Sequence, residues 1–106
     1  IEGLKLDGVN KRYIDLHIKK AIGNYNALGS ATLVLAYVHV DDYESFWMEY
    51  LDYLESYDFG LEIKQPLTRG VDPSAVTRTA SVVLSKDGFD FPVYFVTFKL
   101  SCFGSF

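Results

Sequence analysis

Residues 11–28, KRYIDLHIKKAIGNYNAL, fit two incompatible structures, and the choice between them decides the fold. At period two, Ile14, Leu16 and Ile18 alternate with Tyr13, Asp15, His17 and Lys19, as in a half-buried strand. At 3.6 residues per turn, Ile14, Ile18, Ala21, Ile22, Tyr25 and Leu28 share one face, and only Leu16 falls clearly off it. The helical match runs for about four turns, whereas the alternation covers about seven residues. Local chemistry also favours the helix. Asn10 is a good N-cap, Asp15 and Lys19 stand at i,i+4, and Gly29 suits the C′ position. Gly23 opposes it by about 1 kcal/mol relative to alanine. The segment is therefore read as a helix. As a strand it would leave a sheet carrying a single helix.

Upstream, Leu4 and Leu6 alternate with Lys5 and Asp7 in a short strand that ends at Asp7-Gly8. Downstream, Ala31 to Val40 (ATLVLAYVHV) is apolar on both faces and rich in β-branched residues, which marks a central strand. Asp41-Asp42 then opens a second helix, with Asp42 at the N-cap and Glu44 and Ser45 in the first turn. From 43 to 57, Tyr43, Phe46, Trp47, Tyr50, Leu51, Tyr53, Leu54 and Tyr57 fall within about 160° of one another. Asp41, Glu44, Glu49, Asp52 and Glu55 take the opposite side, and Asp58-Phe59-Gly60 ends the helix.

The next strand, Leu61 to Gln65, points Leu61 and Ile63 inward and is expected to stop before Pro66. Residues 66–74 (PLTRGVDPS) read as a loop. A hairpin follows, Val76 to Ser85 and Phe91 to Leu100, joined through Lys86-Asp87-Gly88. In its first strand Val76, Ala80, Val82 and Leu84 share a face, with Arg78 the exception. Its second strand is apolar on both sides: Phe91, Val93 and Phe95 point one way, Tyr94, Val96, Phe98 and Leu100 the other. The expected order is β-α-β-α-β-β-β, one α+β domain over residues 1–106 with two helices on a mostly antiparallel sheet.

Motifs of catalysis are sparse. The glycines form neither GxGxxG nor a P-loop, and HExxH, GxSxG and EF-hand patterns are absent. One cysteine excludes an internal disulfide framework and a cysteine-based zinc site. His39 with Asp41, at the end of a strand, is the best general-base candidate, but a histidine beside helix-capping acids explains it as well. His17 fits a solvated helix face, and Cys102 has no neighbour that would lower its pKa. A non-enzyme without metal or cofactor is expected. No apolar run reaches the roughly 18 residues of a membrane-spanning helix. The start, Ile1-Glu2-Gly3, has no signal-peptide pattern, and a lone thiol suits a reducing cytoplasm.

Charge is the informative feature. Between Asp41 and Glu62 the chain holds eight acids and no base, whereas the other 84 residues hold ten bases against six acids. Surface helices commonly mix both signs, and like charges three or four apart cost a few tenths of a kcal/mol per pair. Such carboxylates lie roughly 5–6 Å apart, close to phosphate spacing on a nucleic-acid strand. Asp41, Glu44, Glu49, Asp52, Glu55 and Asp58 therefore form the candidate binding surface, with a basic, nucleic-acid-handling protein as the expected partner. Tyrosines 43, 50, 53 and 57 flank it, serving the core first and an interface second. By class analogy, without a shared motif, this is similar to bacterial immunity proteins, phage inhibitors and restriction-evasion proteins. Two alternatives remain open. Lys11, Arg12, Lys19, Lys20, Arg69, Arg78, Lys86 and Lys99 could converge beside sheet aromatics to bind single-stranded nucleic acid. Alternatively, strands 31–40 and 91–100, apolar on both faces, could be completed by a second copy of the chain.

Overall fold

A computed structural model describes residues 2–23 and 31–100. The elements run β1 (Glu2–Leu6), α1 (Lys11–Gly23), β2 (Thr32–Val38), α2 (Tyr43–Glu55), β3 (Glu62–Arg69), β4 (Thr77–Lys86) and β5 (Phe89–Lys99). This is the expected α+β order, and residues 11–23 are helical. The continuation to Leu28 and the Gly29 cap lie outside the described residues, as does Cys102.

The caps explain where the helices begin. Asn10 Oδ1 accepts from the Tyr13 N–H at 3.1 Å, and Asp15 pairs with Lys19 at 3.2 Å one turn along. Asp42 accepts from the Ser45 N–H at 3.0 Å and from its hydroxyl at 2.9 Å. These hydrogen bonds hold the Asp42 carboxyl below its ordinary range.

The five strands form one mixed sheet in the order β1-β2-β5-β4-β3. β1, β2 and β5 run parallel, and the β5-β4 and β4-β3 ladders are antiparallel. Both helices lie on the same face. Ile14, Ile18 and Ile22 of α1 and Tyr43, Phe46, Trp47, Tyr50 and Leu54 of α2 join Leu4, Leu6, Val34, Ala36, Val38, Ala80, Val82, Leu84, Phe91, Val93 and Phe95 in one core. Burying five large side chains from α2 is worth on the order of 10 kcal/mol before entropy. That far exceeds the repulsion among its acids.

Two details differ from the sequence reading. β3 passes through Pro66 to Arg69, so the loop begins at Gly70 rather than at Pro66. As the sheet's edge strand, β3 can lack one N–H on its open side, and its pairing with β4 shifts on either side of Gln65. Ile63 stands opposite inward-facing Leu84 but is 49% exposed, because β3 lies at the rim of the core. At the hairpin turn Asp87 and Gly88 both adopt positive φ, 53° and 83°, the two-residue turn whose twist suits β4 and β5.

Candidate functional site

The six acids singled out from the sequence are placed differently from one another. Glu44, at the start of α2, is tied into the fold. Arg78 reaches from β4 and donates to Glu44 Oε2 through Nε at 3.3 Å and Nη2 at 3.1 Å. Its Nη1 donates to the carbonyl oxygens of Ser74, Ala75 and Thr77 at 3.1–3.3 Å. The guanidinium also lies 5.1 Å from the Tyr43 ring centroid. Arg69 Nη2 stands 3.1 Å from Asp72 and 3.6 Å from Glu44. This is the meaning of Arg78 among apolar inward positions: with a side chain only 14% exposed, it fastens the first turn of α2 to the sheet. Tyr43 completes the latch, its hydroxyl 2.6 Å from Thr97 Oγ1 and 2.9 Å from the Thr97 carbonyl oxygen. Glu44 is thus compensated by arginines distant in sequence, not by a base on its own helix.

Asp58 accepts from the Gly60 N–H at 2.9 Å in the turn after α2. Asp41, Glu49, Asp52 and Glu55 are exposed, and no ion pair or side-chain hydrogen bond joins any of them to a described residue. Glu49, Asp52 and Glu55 follow one another at i,i+3 on the solvent side of α2. The helix has no base in its last turn, where Glu55 sits against the negative end of the helix dipole. Met48, 46% exposed, lies beside them.

Next to the C-terminal end of α2 is an open cleft of about 600 Å³, lined by Asp15, Lys19, Tyr53, Tyr57, Asp58, Phe59 and Lys86 among others. Tyr57 donates to Asp15 at 2.7 Å, and its ring meets Phe59 edge-on at 4.9 Å. The Tyr57 hydrogen bond, then Lys19, hold the Asp15 carboxyl below its usual value. Burial, then the Asp15 hydrogen bond, push the Tyr57 hydroxyl upward. The charges lining the cleft balance, so it selects no ion by sign. The Tyr57–Asp15 contact joins α1 to the turn that follows α2 across 42 residues, and sequence spacing gives no hint of it.

No family model, curated protein or solved structure matches this chain.

His39 is exposed at the end of β2. Its backbone N–H donates to the Leu6 carbonyl at 2.8 Å, and no described carboxylate engages its ring. Among the described residues no three His, Cys, Asp or Glu side chains cluster to hold a metal. His17 packs edge-on against Tyr13 at 4.4 Å, half-buried rather than solvated. No described helix is long and apolar enough to cross a membrane.

The bases do not gather. Lys11, Arg12, Lys19 and Lys20 lie on α1, whereas Arg69 and Arg78 are paired with Glu44 and Asp72. The exposed aromatics Tyr37 and Tyr94 face the opposite side of the sheet, with Lys5 beside Tyr37, whereas exposed Phe89 stands opposite Lys86 at the hairpin turn. The four bases of α1 are thus on the other side of the sheet from Tyr37 and Tyr94, and no one groove of the described residues gathers the bases with these two rings.

Proposed function

We propose that this chain is a non-enzymatic protein-binding domain of the inhibitor or immunity type, acting in the cytoplasm. It docks on a basic, nucleic-acid-handling protein through the outer side of α2. Glu49, Asp52 and Glu55 form the centre of the docking surface, and Asp41 and Asp58 extend it at the two ends. Glu44 supports the surface by anchoring the helix.

One observation carries this reading: three exposed carboxylates stand in series where the fold itself would do better with a base. Like charges at i,i+3 repel, and Glu55 opposes the helix dipole, each at a few tenths of a kcal/mol. No described residue offsets those costs. A basic partner offsets them in the complex, and the concentrated field speeds encounter and rejects acidic competitors. The arrangement of these exposed groups in series along one helix side suits an extended protein surface better than a small ligand.

The test is the salt dependence of the complex. Affinity should fall as ionic strength rises, and Glu49→Gln, Asp52→Asn and Glu55→Gln should each weaken binding and flatten that dependence. An affinity indifferent to salt and to all three substitutions contradicts the proposal.

A further inference from the structure

The cleft beside the C-terminal end of α2 is built from α1, the turn that follows α2 and the end of β4. Most of the polar groups that line it are engaged by the fold. Both oxygens of Asp15 are taken, Oδ1 by the Tyr57 hydroxyl at 2.7 Å and Oδ2 by Lys19 at 3.2 Å. The Ser56 hydroxyl donates to the Asp52 and Tyr53 carbonyl oxygens, and the Tyr53 hydroxyl to that of Lys11. Two groups of opposite charge are left. Asp58 gives one carboxylate oxygen to the Gly60 N–H and keeps the other. The ammonium group of half-buried Lys86 makes neither an ion pair nor a hydrogen bond with any described residue. Both side chains line the cleft, and no ion pair joins them. Asp58 also stands in sequence between two of the rings of an aromatic wall. Tyr53 and Tyr57 lie 5.6 Å apart, Tyr57 meets Phe59 edge-on at 4.9 Å, and Phe59 reaches Phe95 of the core at 6.3 Å.

The geometry points to a binding site for a small zwitterion with an aromatic side chain, the chemistry of a free aromatic α-amino acid. Charge is the first argument. The lining carries no net charge, so an ion of either sign gains from one of the two free groups and is opposed by the other. A zwitterion engages both, its ammonium group on Asp58 and its carboxylate on Lys86, through charge-assisted hydrogen bonds roughly twice as strong as neutral ones. The wall is the second argument. Aromatic rings favour edge-to-face contact, and a ligand ring continues the row formed by Tyr53, Tyr57 and Phe59. The Tyr57–Asp15 hydrogen bond holds that row against α1 before any ligand arrives. Size is the third. A volume of about 600 Å³ lies within the roughly 300–1,000 Å³ of small-molecule sites. Lys86 and Phe59 take no part in the acidic docking surface of α2, so this site stands or falls without it.

Equilibrium dialysis of the whole chain against L-phenylalanine tests this. Saturable one-to-one binding should appear, with a dissociation constant below about 1 mM. Phenethylamine lacks the carboxylate, hydrocinnamate lacks the ammonium group and L-alanine lacks the ring. Each should bind at least about tenfold more weakly, the loss expected for one contact to a charged group. Lys86→Gln should weaken L-phenylalanine by about the same factor and leave phenethylamine unaffected, with an unchanged circular dichroism spectrum. Asp58→Asn, which keeps an oxygen for the Gly60 N–H, should weaken L-phenylalanine and leave hydrocinnamate unaffected. Lys5→Gln, on the other side of the sheet, should change nothing. Absence of saturable L-phenylalanine binding up to about 10 mM overturns the inference. So does phenethylamine or hydrocinnamate binding as tightly as L-phenylalanine, or L-phenylalanine binding that withstands both Lys86→Gln and Asp58→Asn.

Discussion

Two tyrosines a turn or two apart on α2 show how one hydroxyl stabilises and another does not. Tyr43 and Tyr50 are both buried, but the Tyr43 hydroxyl is satisfied by Thr97, whereas the Tyr50 hydroxyl has no hydrogen-bond partner. A buried polar group without a partner costs about 1–3 kcal/mol, and one well paired contributes about 1 kcal/mol. The same substitution should therefore have opposite signs: Tyr50→Phe raises the urea midpoint or leaves it unchanged, and Tyr43→Phe lowers stability by about 1–2 kcal/mol. Equal losses at both sites contradict this reading of the core. Asp42 makes a second residue-scale prediction. Its carboxyl is held below the ordinary value of 3.8 by the Ser45 backbone and side-chain hydrogen bonds. A depressed carboxyl stabilises the folded state above its unfolded pKa, and that contribution is lost as pH falls through the lower folded value. Asp42→Asn keeps a capping oxygen but does not titrate. Thermal melts below pH 4 should consequently show a shallower decline for Asp42→Asn than for the wild type.

At the scale of elements, stability and the proposed function pull α2 in opposite directions. Replacing Glu49, Asp52 and Glu55 together with lysine removes like-charge neighbours and places a cation in the last turn. The variant should unfold at the same temperature as the wild type or a few degrees higher. A marked loss of stability would mean that the acids serve the fold after all. The hairpin supplies an independent check. Gly88 sits at φ 83°, where a β-carbon is strained, so Gly88→Ala should cost about 1 kcal/mol or more in a denaturant titration. Elements like these were legible in the sequence because their signals are local: Asn10 and Asp42 each cap a residue three positions on, and Asp87-Gly88 closes its own turn. Pro66 and Ile63 misled for the converse reason. A proline is tolerated, and an isoleucine exposed, at a sheet edge, but which strand is the edge depends on the order β1-β2-β5-β4-β3, and no single segment contains that order.

Over the whole molecule, the two helices divide the charge. α1 presents Lys11, Arg12, Lys19 and Lys20, and α2 presents Glu49, Asp52 and Glu55, side by side on one face of the sheet. The opposite face is apolar along β2 and β5 and carries the hydroxyls of Thr77, Thr79, Ser81 and Ser85 along β4. The acid run between residues 41 and 62 is visible in the sequence, but which acids remain free is not. Glu44 finds Arg78 across 34 residues, a pairing set by tertiary structure alone. Whether bases and aromatics converge into a groove is likewise set by tertiary structure: α1 carries four bases on one side of the sheet, and Tyr37 and Tyr94 stand on the other. The four tyrosines of α2 and its C-terminal turn, Tyr43, Tyr50, Tyr53 and Tyr57, all have hydroxyls pushed above the ordinary value of 10, chiefly by burial. Their contribution to stability is complete below that pH and is lost as pH rises above it, so an alkaline melt should steepen there. The proposed docking role of α2 is tested by affinity capture from cells of the natural source with immobilised wild type and with the Glu49, Asp52 and Glu55 lysine variant, both after nuclease digestion, read by quantitative mass spectrometry. A stoichiometric basic protein should be captured on the wild type and be missing from the variant. The same proteins on both, or material that disappears with the nucleic acid, would contradict it.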